Sequence, residues 1–353
     1  MGSNAPAEVT AAENGAGKPG ATNGCAASLM DEMCFPAMMS DGSALRGAKV
    51  TIVGCGSVGM ACANAILSAG LTSTMVFADV DQKKVKGEVM DFVHGGAFHH
   101  ANVKAAEPNY DGSEDSDIII ITAGARQRPG ESRLDLVSRN ARIFASIIPP
   151  LVARSPAALL LVVSNPVDIL TAIAARLAGL PRGRVFGSGT YLDSSRLRVD
   201  LSTQLGVSPQ SIHANILGEH GDSSVAVASV ANLAGGRFAD AALTPDLWGE
   251  LHRRVVGAAS EVIALKGYTN WGVGAAVGAL VGFILRDEKR VVPVSVAAAG
   301  AYGIEDDVFL SLPAVLGRGG VERVVRVPLS QTEQEQLRKS AHSLAKVASS
   351  VAL

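Results

Sequence analysis

The sequence predicts an α/β protein, with a doubly wound parallel sheet in its N-terminal half and a mixed α+β assembly in its C-terminal half. Three observations carry that reading. Short apolar runs alternate regularly with helical segments from Lys49 to about residue 187. Those runs are almost continuously apolar, as strands covered by helices on both faces must be. Beyond residue 187, longer helical stretches mix with shorter strands and the regular alternation stops.

At 353 residues, the chain is long enough for two domains, each with its own core. The expected organisation is an arm over residues 1–45, a first domain over 46–187 and a second over 188–353. With 48% hydrophobic residues, 18% charged residues and a formal net charge of -2, the composition is that of a well-packed globular protein. It offers no electrostatic case for binding nucleic acid or an anionic membrane. Residues 1–45 are rich in Ala, Gly, Ser, Asn and Met without sustained periodicity, which predicts a disordered arm. The arm lacks the basic start and apolar block of a secretory signal. No Arg precedes Arg46, whereas Glu8, Glu13, Asp31, Glu32 and Asp41 are acidic, which argues against a transit peptide. Cys25, Cys34, Cys55 and Cys62 form no C-x-x-C pair and no cluster with His. Free thiols in a reducing, cytoplasmic compartment are expected, and no metal.

The buried-strand candidates follow in order: "KVTIVG" from Lys49, "STMVFADV" from Ser73, "DIIIITA" from Asp117 and "ALLLVVSNP" from Ala158. In the second half, "LDSSRLRVDLSTQLG" reads as a helix and "SIHANIL" as a strand. The apolar run from Val273 to Leu285 is too short to span a bilayer, which needs roughly 20 residues. Its Gly274, Gly278 and Gly282 recur every four residues, so it reads as a buried helix with a close neighbour. "SQTE" at Ser330–Glu333 is a capping box that starts a terminal helix.

Chemistry first becomes legible in "VGCGSVGM". Gly54, Gly56 and Gly59 form a G-x-G-x-x-G pattern that follows a strand and opens a helix beginning at Ser57 and Val58. The next strand ends in Asp79, at the distance expected of the Rossmann dinucleotide-binding fingerprint. Gly54 permits the tight turn, Gly56 the close approach of a pyrophosphate, and Gly59 the close contact of helix and strand. The helix N-terminus then offers unpaired N–H groups to the phosphates. Asp79 would bind the ribose hydroxyls and repel a 2′-phosphate, so NAD is expected rather than NADP.

"TAGARQRPGESR", "VSNPVDIL", "GSGTYLDSSRLR", "GEHGDSS", "LKGYTNW" and "DDVFLSLP" occur in this order along the chain. The chain resembles the L-lactate dehydrogenases of the lactate/malate dehydrogenase superfamily from about Lys49 to the C-terminal helix, and the plant-type enzymes most of all. That resemblance implies a Rossmann domain joined to an α+β catalytic domain, NAD as cofactor, and a small 2-hydroxy or 2-oxo acid as substrate. It also implies reversible hydride transfer between L-lactate and pyruvate in glycolysis or fermentation, and a homotetramer.

The residues implied by the resemblance have chemistry suited to their roles. His220 matches the acid/base, an imidazole that titrates near neutral pH. Asp193 matches the aspartate that orients it. Arg196 matches the arginine that grips the substrate carboxylate through two N–H bonds, a fit that lysine cannot reproduce. Asn165, at the C-terminal end of a parallel strand, matches a residue touching both nicotinamide and substrate, and the Asn165–Pro166 peptide is expected to be cis. Thr269 and Val273 match positions beside substrate and nicotinamide ring. In the arginine-rich loop, Arg126 resembles the pyrophosphate-side arginine. Arg133 resembles the arginine that polarises the reacting carbonyl when the loop closes.

Gln127 matches the position that senses the rest of the substrate. Malate dehydrogenases carry Arg there, and a neutral Gln suits pyruvate's methyl group. Arg128, one residue on, reads as a solvated loop charge. Arg198 and His213 match an anion-binding pair found in some bacterial relatives. Tyr191 departs from the smaller or polar residue expected before "LD", which bears on local packing. Two other readings stay open: a malate or broader 2-hydroxyacid dehydrogenase, and an NAD-binding structural or interaction protein without turnover.

Overall fold

The structure, a computed structural model, describes residues 47–125, 133–238 and 244–350. The arm expected over residues 1–45 lies outside the described residues. β1 (Lys49–Val53) leads into α1 (Ser57–Ser68). There follow β2 (Thr74–Ala78), α2 (Gln82–His94), β3 (Asn102–Ala105), β4 (Ile118–Ile121), α3 (Arg133–Arg154), β5 (Leu159–Val162), α4 (Val167–Ala178) and β6 (Val185–Gly187). These six strands are parallel in the order β3-β2-β1-β4-β5-β6. The order reverses between β1 and β4, which leaves a crevice at the C-terminal ends of the central strands. Strands sandwiched this way must be apolar throughout, and Ile118–Ile121 and Leu159–Val162 are buried along their whole length.

The chain continues through α5 (Tyr191–Leu205), β7 (Ile212–Leu217), β8 (Val225–Leu233), β9 (Gly236–Arg237), α6 (Pro245–Lys266) and α7 (Trp271–Leu285). β10 (Arg290–Ala297), β11 (Phe309–Gly317), β12 (Gly320–Val324) and α8 (Gln331–Ser349) complete it. β7, β8 and β9 form an antiparallel sheet. Its satellite core unites Leu197, Leu201, Ile216, Trp248 and Leu251. β10, β11 and β12 instead extend the main sheet. β10 runs antiparallel to β6, with Ser295 opposite Gly187. One nine-stranded sheet therefore runs across residues 187 and 188, where the chain passes from regular alternation to the mixed pattern.

The glycine stripe has the neighbour its spacing predicts. A Cβ on Gly274 would lie 2.6 Å from the Ala61 carbonyl oxygen, and one on Gly278 would lie 3.0 Å from the Ala65 Cβ. α7 thus packs backbone to backbone on α1, the helix that opens the fingerprint. At the C-terminus, Ser330 Oγ accepts from Glu333 N, and the Glu333 carboxylate accepts from Ser330 N, the expected capping box. Glu333 also accepts from the backbone N–H groups of Ala228 and Ser229, which ties α8 to β8. Among the described residues, no helix is long and apolar enough to cross a membrane.

Candidate active site

The β1–α1 turn is shaped by two steric constraints. Gly54 has φ +102°, and a Cβ there would lie 2.5 Å from Ala123 N. A Cβ on Gly59 would lie 2.0 Å from the Gly54 carbonyl oxygen, so α1 can approach β1 this closely only with glycine there. Gly56 differs, because a Cβ there meets nothing within 4 Å. It faces open space at the start of α1. No side chain caps this helix and its first turn holds no acidic residue, so its leading N–H groups are left for an anion. Asp79, one residue past β2, accepts from Cys55 N at 2.7 Å and from Asp81 N at 3.1 Å. The carboxylate is thereby fixed beside the glycine turn. Cys55 fills space beneath it, its thiol pushed up to about 12 by burial and by the Asp79 charge.

On the other side of β1, Asn165 ends the segment that follows β5, and its peptide bond to Pro166 is cis. Asn140 on α3, fully buried, holds this region together. Its Oδ1 accepts from Ala125 N at 2.7 Å, and its Nδ2 donates to Asn165 O at 3.0 Å. Arg126, Gln127 and Arg128, together with the side chain of Arg133, lie outside the described residues.

The second half supplies the titratable cluster. Asp193 and Arg196 stand one helical turn apart on α5, and Arg196 Nη1 donates to Asp193 Oδ1 at 2.7 Å. His220 follows β7, with Nδ1 2.5 Å from Asp193 Oδ2. Asp193 is thus held between an imidazole and a guanidinium. Burial alone would push its carboxyl up, but the charges and hydrogen bonds of His220 and Arg196 outweigh it and lower the pKa. For His220, burial works against the cation. The charge and hydrogen bond of Asp193, helped by the charge of Asp168, prevail and raise the pKa. The imidazole keeps 27% of its surface open, because it borders a cavity. A guanidinium carries five N–H donors, so the bond to Asp193 leaves others of Arg196 for a ligand.

That cavity, about 80 Å³, is lined by Asn165, Leu192, Arg196, His220, Thr269 and Val273, among others. Residues from the strand ends, α5, the loop after β7 and the α6–α7 turn therefore meet around a space suited to a small molecule. Leu192, Arg196, Thr269 and Val273 also border a wider groove along α6.

Residues 48–187 match the lactate/malate dehydrogenase NAD binding domain, and residues 190–352 match the lactate/malate dehydrogenase alpha/beta C-terminal domain. The chain belongs to the lactate/malate dehydrogenase family. It is 47% identical over 324 residues to the L-lactate dehydrogenase B chain of Sceloporus undulatus, covering 90% of this chain and 96% of that one. It is 49% identical over 304 residues to the C chain of Sus scrofa, covering 84% and 91%. It is 46% identical over 326 residues to the B chain of Rattus norvegicus, covering 90% and 97%. The turn from Gly54 to Asp79 accordingly lies in an NAD-binding domain. Its open Gly56, uncapped helix start and anchored carboxylate fit the pyrophosphate and ribose of that cofactor.

Several residues of this candidate site were not legible from sequence. Asp168, in the first turn of α4, accepts from His220 N at 2.7 Å and from Ser295 Oγ at 2.6 Å. Ser340 Oγ accepts from Glu219 N, and Ser224 Oγ lies 2.9 Å from His252 Nε2. Together these bonds fix both flanks of the histidine loop. The only hint in the sequence was the acid in "SNPVDIL", which reads by default as a favourable charge at a helix start. Tyr191 packs edge-on against Phe283, with ring centroids 6.3 Å apart, which accounts for its bulk. Arg198 Nε donates to Ala214 O at 3.1 Å and its Nη2 to Asn215 Oδ1 at 3.3 Å, while His213 is exposed.

Proposed function

We propose that this chain is an NAD-dependent L-lactate dehydrogenase that interconverts L-lactate and pyruvate. The observation that carries the proposal is the Asp193 carboxylate bridging His220 and Arg196 at a small cavity that Asn165 also lines. NADH, when bound, supplies the hydride that reduces the carbonyl carbon. Gly54, Gly56, Ser57, Val58, Gly59 and Asp79 would hold the cofactor, with Asn165 and Val273 near its reactive end. Arg196 would bind the substrate carboxylate through N–H groups that Asp193 does not use.

Asp193 holds the proton on His220 Nδ1, so Nε2 is the atom that exchanges a proton with substrate oxygen. In reduction, His220 gives that proton to the oxygen as the carbonyl π electrons move onto it. In oxidation, neutral His220 takes it back. By family resemblance, Arg126 would pair with the pyrophosphate and Arg133 would stabilise charge on the reacting oxygen. Gln127 and Thr269 would bound the substrate's methyl end.

The division at residues 187 and 188 into cofactor and substrate halves is part of this reading. So are a cytoplasmic site, a role in glycolysis or fermentation, and a homotetramer. Self-association is supported by large apolar side chains left exposed, notably Phe98 at 93%, Leu265 at 81% and Trp271 at 63%.

The test is NADH consumption followed by absorbance with pyruvate, oxaloacetate and longer 2-oxo acids, with His220→Gln as control. Preference for oxaloacetate would make the chain a malate dehydrogenase. NADH binding without turnover on any of them would make it a binding protein.

A further inference from the structure

Asp168 is a costly residue to keep. Its carboxylate is 2% exposed at the base of α4, in the first turn after the Asn165–Pro166 bond. An unpaired buried charge is strongly disfavoured. Two neutral donors reach it, the His220 backbone N–H on Oδ2 and the Ser295 hydroxyl on Oδ1. Neither carries charge. The cation that favours its ionised form is the His220 imidazolium, while nearby Glu219 opposes it. An uncharged side chain could brace the same loop at lower desolvation cost, so the charge itself calls for an account.

We propose that Asp168 is a positioning residue for proton transfer: it anchors the His220 backbone and supplies a second negative charge, besides Asp193, that keeps the imidazole protonated for the reduction. This inference rests on the assignment of His220 as acid/base. The charged and titratable groups around His220 come from every packed element: Asp193 and Arg196 from α5, Asp168 from α4, Glu219 from its own loop, and His252 from α6, which feels Asp193. Burial pushes the Asp168 carboxyl up to about 6, and the bonds from Ser295 and His220 oppose that rise. The carboxyl is therefore ionised at neutral pH, where its charge reaches the imidazole. At mildly acid pH it is neutral, and the support is withdrawn.

The geometry also explains Ser295. It sits on β10 at the register position opposite Gly187, and its hydroxyl crosses to α4. The strand that joins β6 thus also helps keep Asp168 charged. β10, α4 and the histidine loop form one chain of contacts ending at the proton donor.

The experiment compares the full chain with Asp168→Asn by two readouts. One is the titration of the His220 ring protons by NMR, assigned with His220→Gln and recorded without pyruvate. The other is the pH profile of kcat/KM for pyruvate with NADH saturating. Loss of the charge should move the histidine titration to lower pH. kcat/KM at alkaline pH should then fall about tenfold for each unit moved, while at acid pH it stays within about threefold of wild type. Ser295→Ala should move both in the same direction by less, and it serves if Asp168→Asn does not fold. Superimposable titrations in the folded variants, with only thermal stability reduced, would overturn the proposal and leave Asp168 a structural brace. Absence of pyruvate reduction by the wild type would instead sink the functional assignment. The NMR titration would still decide whether Asp168 controls the imidazole.

Discussion

Asp193 Oδ2 lies 2.5 Å from His220 Nδ1, so the two residues share their protons as a unit. The histidine pKa is raised and the aspartate pKa lowered by the same contact. With His220 as the proposed acid/base, reduction of pyruvate needs the imidazolium. kcat/KM for pyruvate should therefore be flat at acid pH and fall as pH rises through a histidine pKa above the usual 6.5. Asp193→Asn should lower kcat by about 10²–10⁴-fold, the range for general acid–base catalysis, and move the alkaline fall to lower pH.

The same pair sets a stability window. A raised histidine pKa contributes stability that is complete below the unfolded value near 6.5 and is lost as pH rises through the folded value. The lowered aspartate pKa contributes stability present above its unfolded value and lost as pH falls through the folded one. The Tm advantage of wild type over His220→Gln should be greatest in mildly acid solution and shrink toward alkaline pH. A constant difference across that range would contradict the linkage.

Gly56 and Gly59 should fail in different ways when changed to Ala. A Cβ at Gly59 would strike the Gly54 carbonyl, so Gly59→Ala should cost about 1–3 kcal/mol in urea unfolding. A Cβ at Gly56 meets nothing in the protein, so Gly56→Ala should fold as wild type does. It should nevertheless weaken NADH binding in a fluorescence titration, because the methyl occupies the approach to the phosphates.

The α1–α7 contact makes a graded prediction. Gly274→Ala forces a methyl against Ala61 backbone atoms and should destabilise the chain by about 1–3 kcal/mol. Gly278→Ala is tight only against the Ala65 Cβ at 3.0 Å, with the Ala65 backbone carbon and oxygen at ordinary contact distances of 3.6 and 3.8 Å. There the gain in helix propensity, about 1 kcal/mol, should largely offset the crowding. Equal midpoints for the two variants in urea would count against backbone contact between these helices.

If Gln127 faces the substrate, Gln127→Arg should raise kcat/KM for oxaloacetate and lower it for pyruvate. A two-pronged bond to the second carboxylate is worth about 1.5–3 kcal/mol, or roughly 10- to 150-fold. With pyruvate the new cation would be desolvated without a partner. If Arg128 faces the substrate instead, the wild type should already reduce oxaloacetate well, and Arg128→Ala should abolish that activity.

Local patterns were the legible part of this molecule. The glycine fingerprint, the acid at Asp79 just past β2 and the Ser330–Glu333 capping box each lie within a few dozen residues, where spacing alone constrains geometry. The glycine stripe of α7 announced a close neighbour but not its identity, because nothing local pairs Gly274 with Ala61. Asp168 shows the limit more sharply. Its two partners lie 52 and 127 residues away in sequence, and an acid in a first helical turn already has an ordinary explanation. The attachment of β10 to β6 was hidden for the same reason, since an apolar strand does not state which edge it will join.

That attachment has a consequence for how the chain is made. When residues 1–187 have left the ribosome, β6 is the open margin of the parallel sheet, and its partner β10 begins only at Arg290. At ~5–20 residues per second, synthesis of the intervening segment takes roughly 5–20 s. Throughout that interval the nascent sheet presents unpaired backbone N–H and C=O groups to other chains. β6 is three residues long, the shortest member of the parallel set, so the margin exposed during synthesis is small. Ribosomes stalled far enough beyond residue 187 for β6 to have cleared the exit tunnel should carry a protease-resistant sheet. Lengthening β6 with two further apolar residues should make those stalled chains aggregate, while released full-length chains stay dispersed.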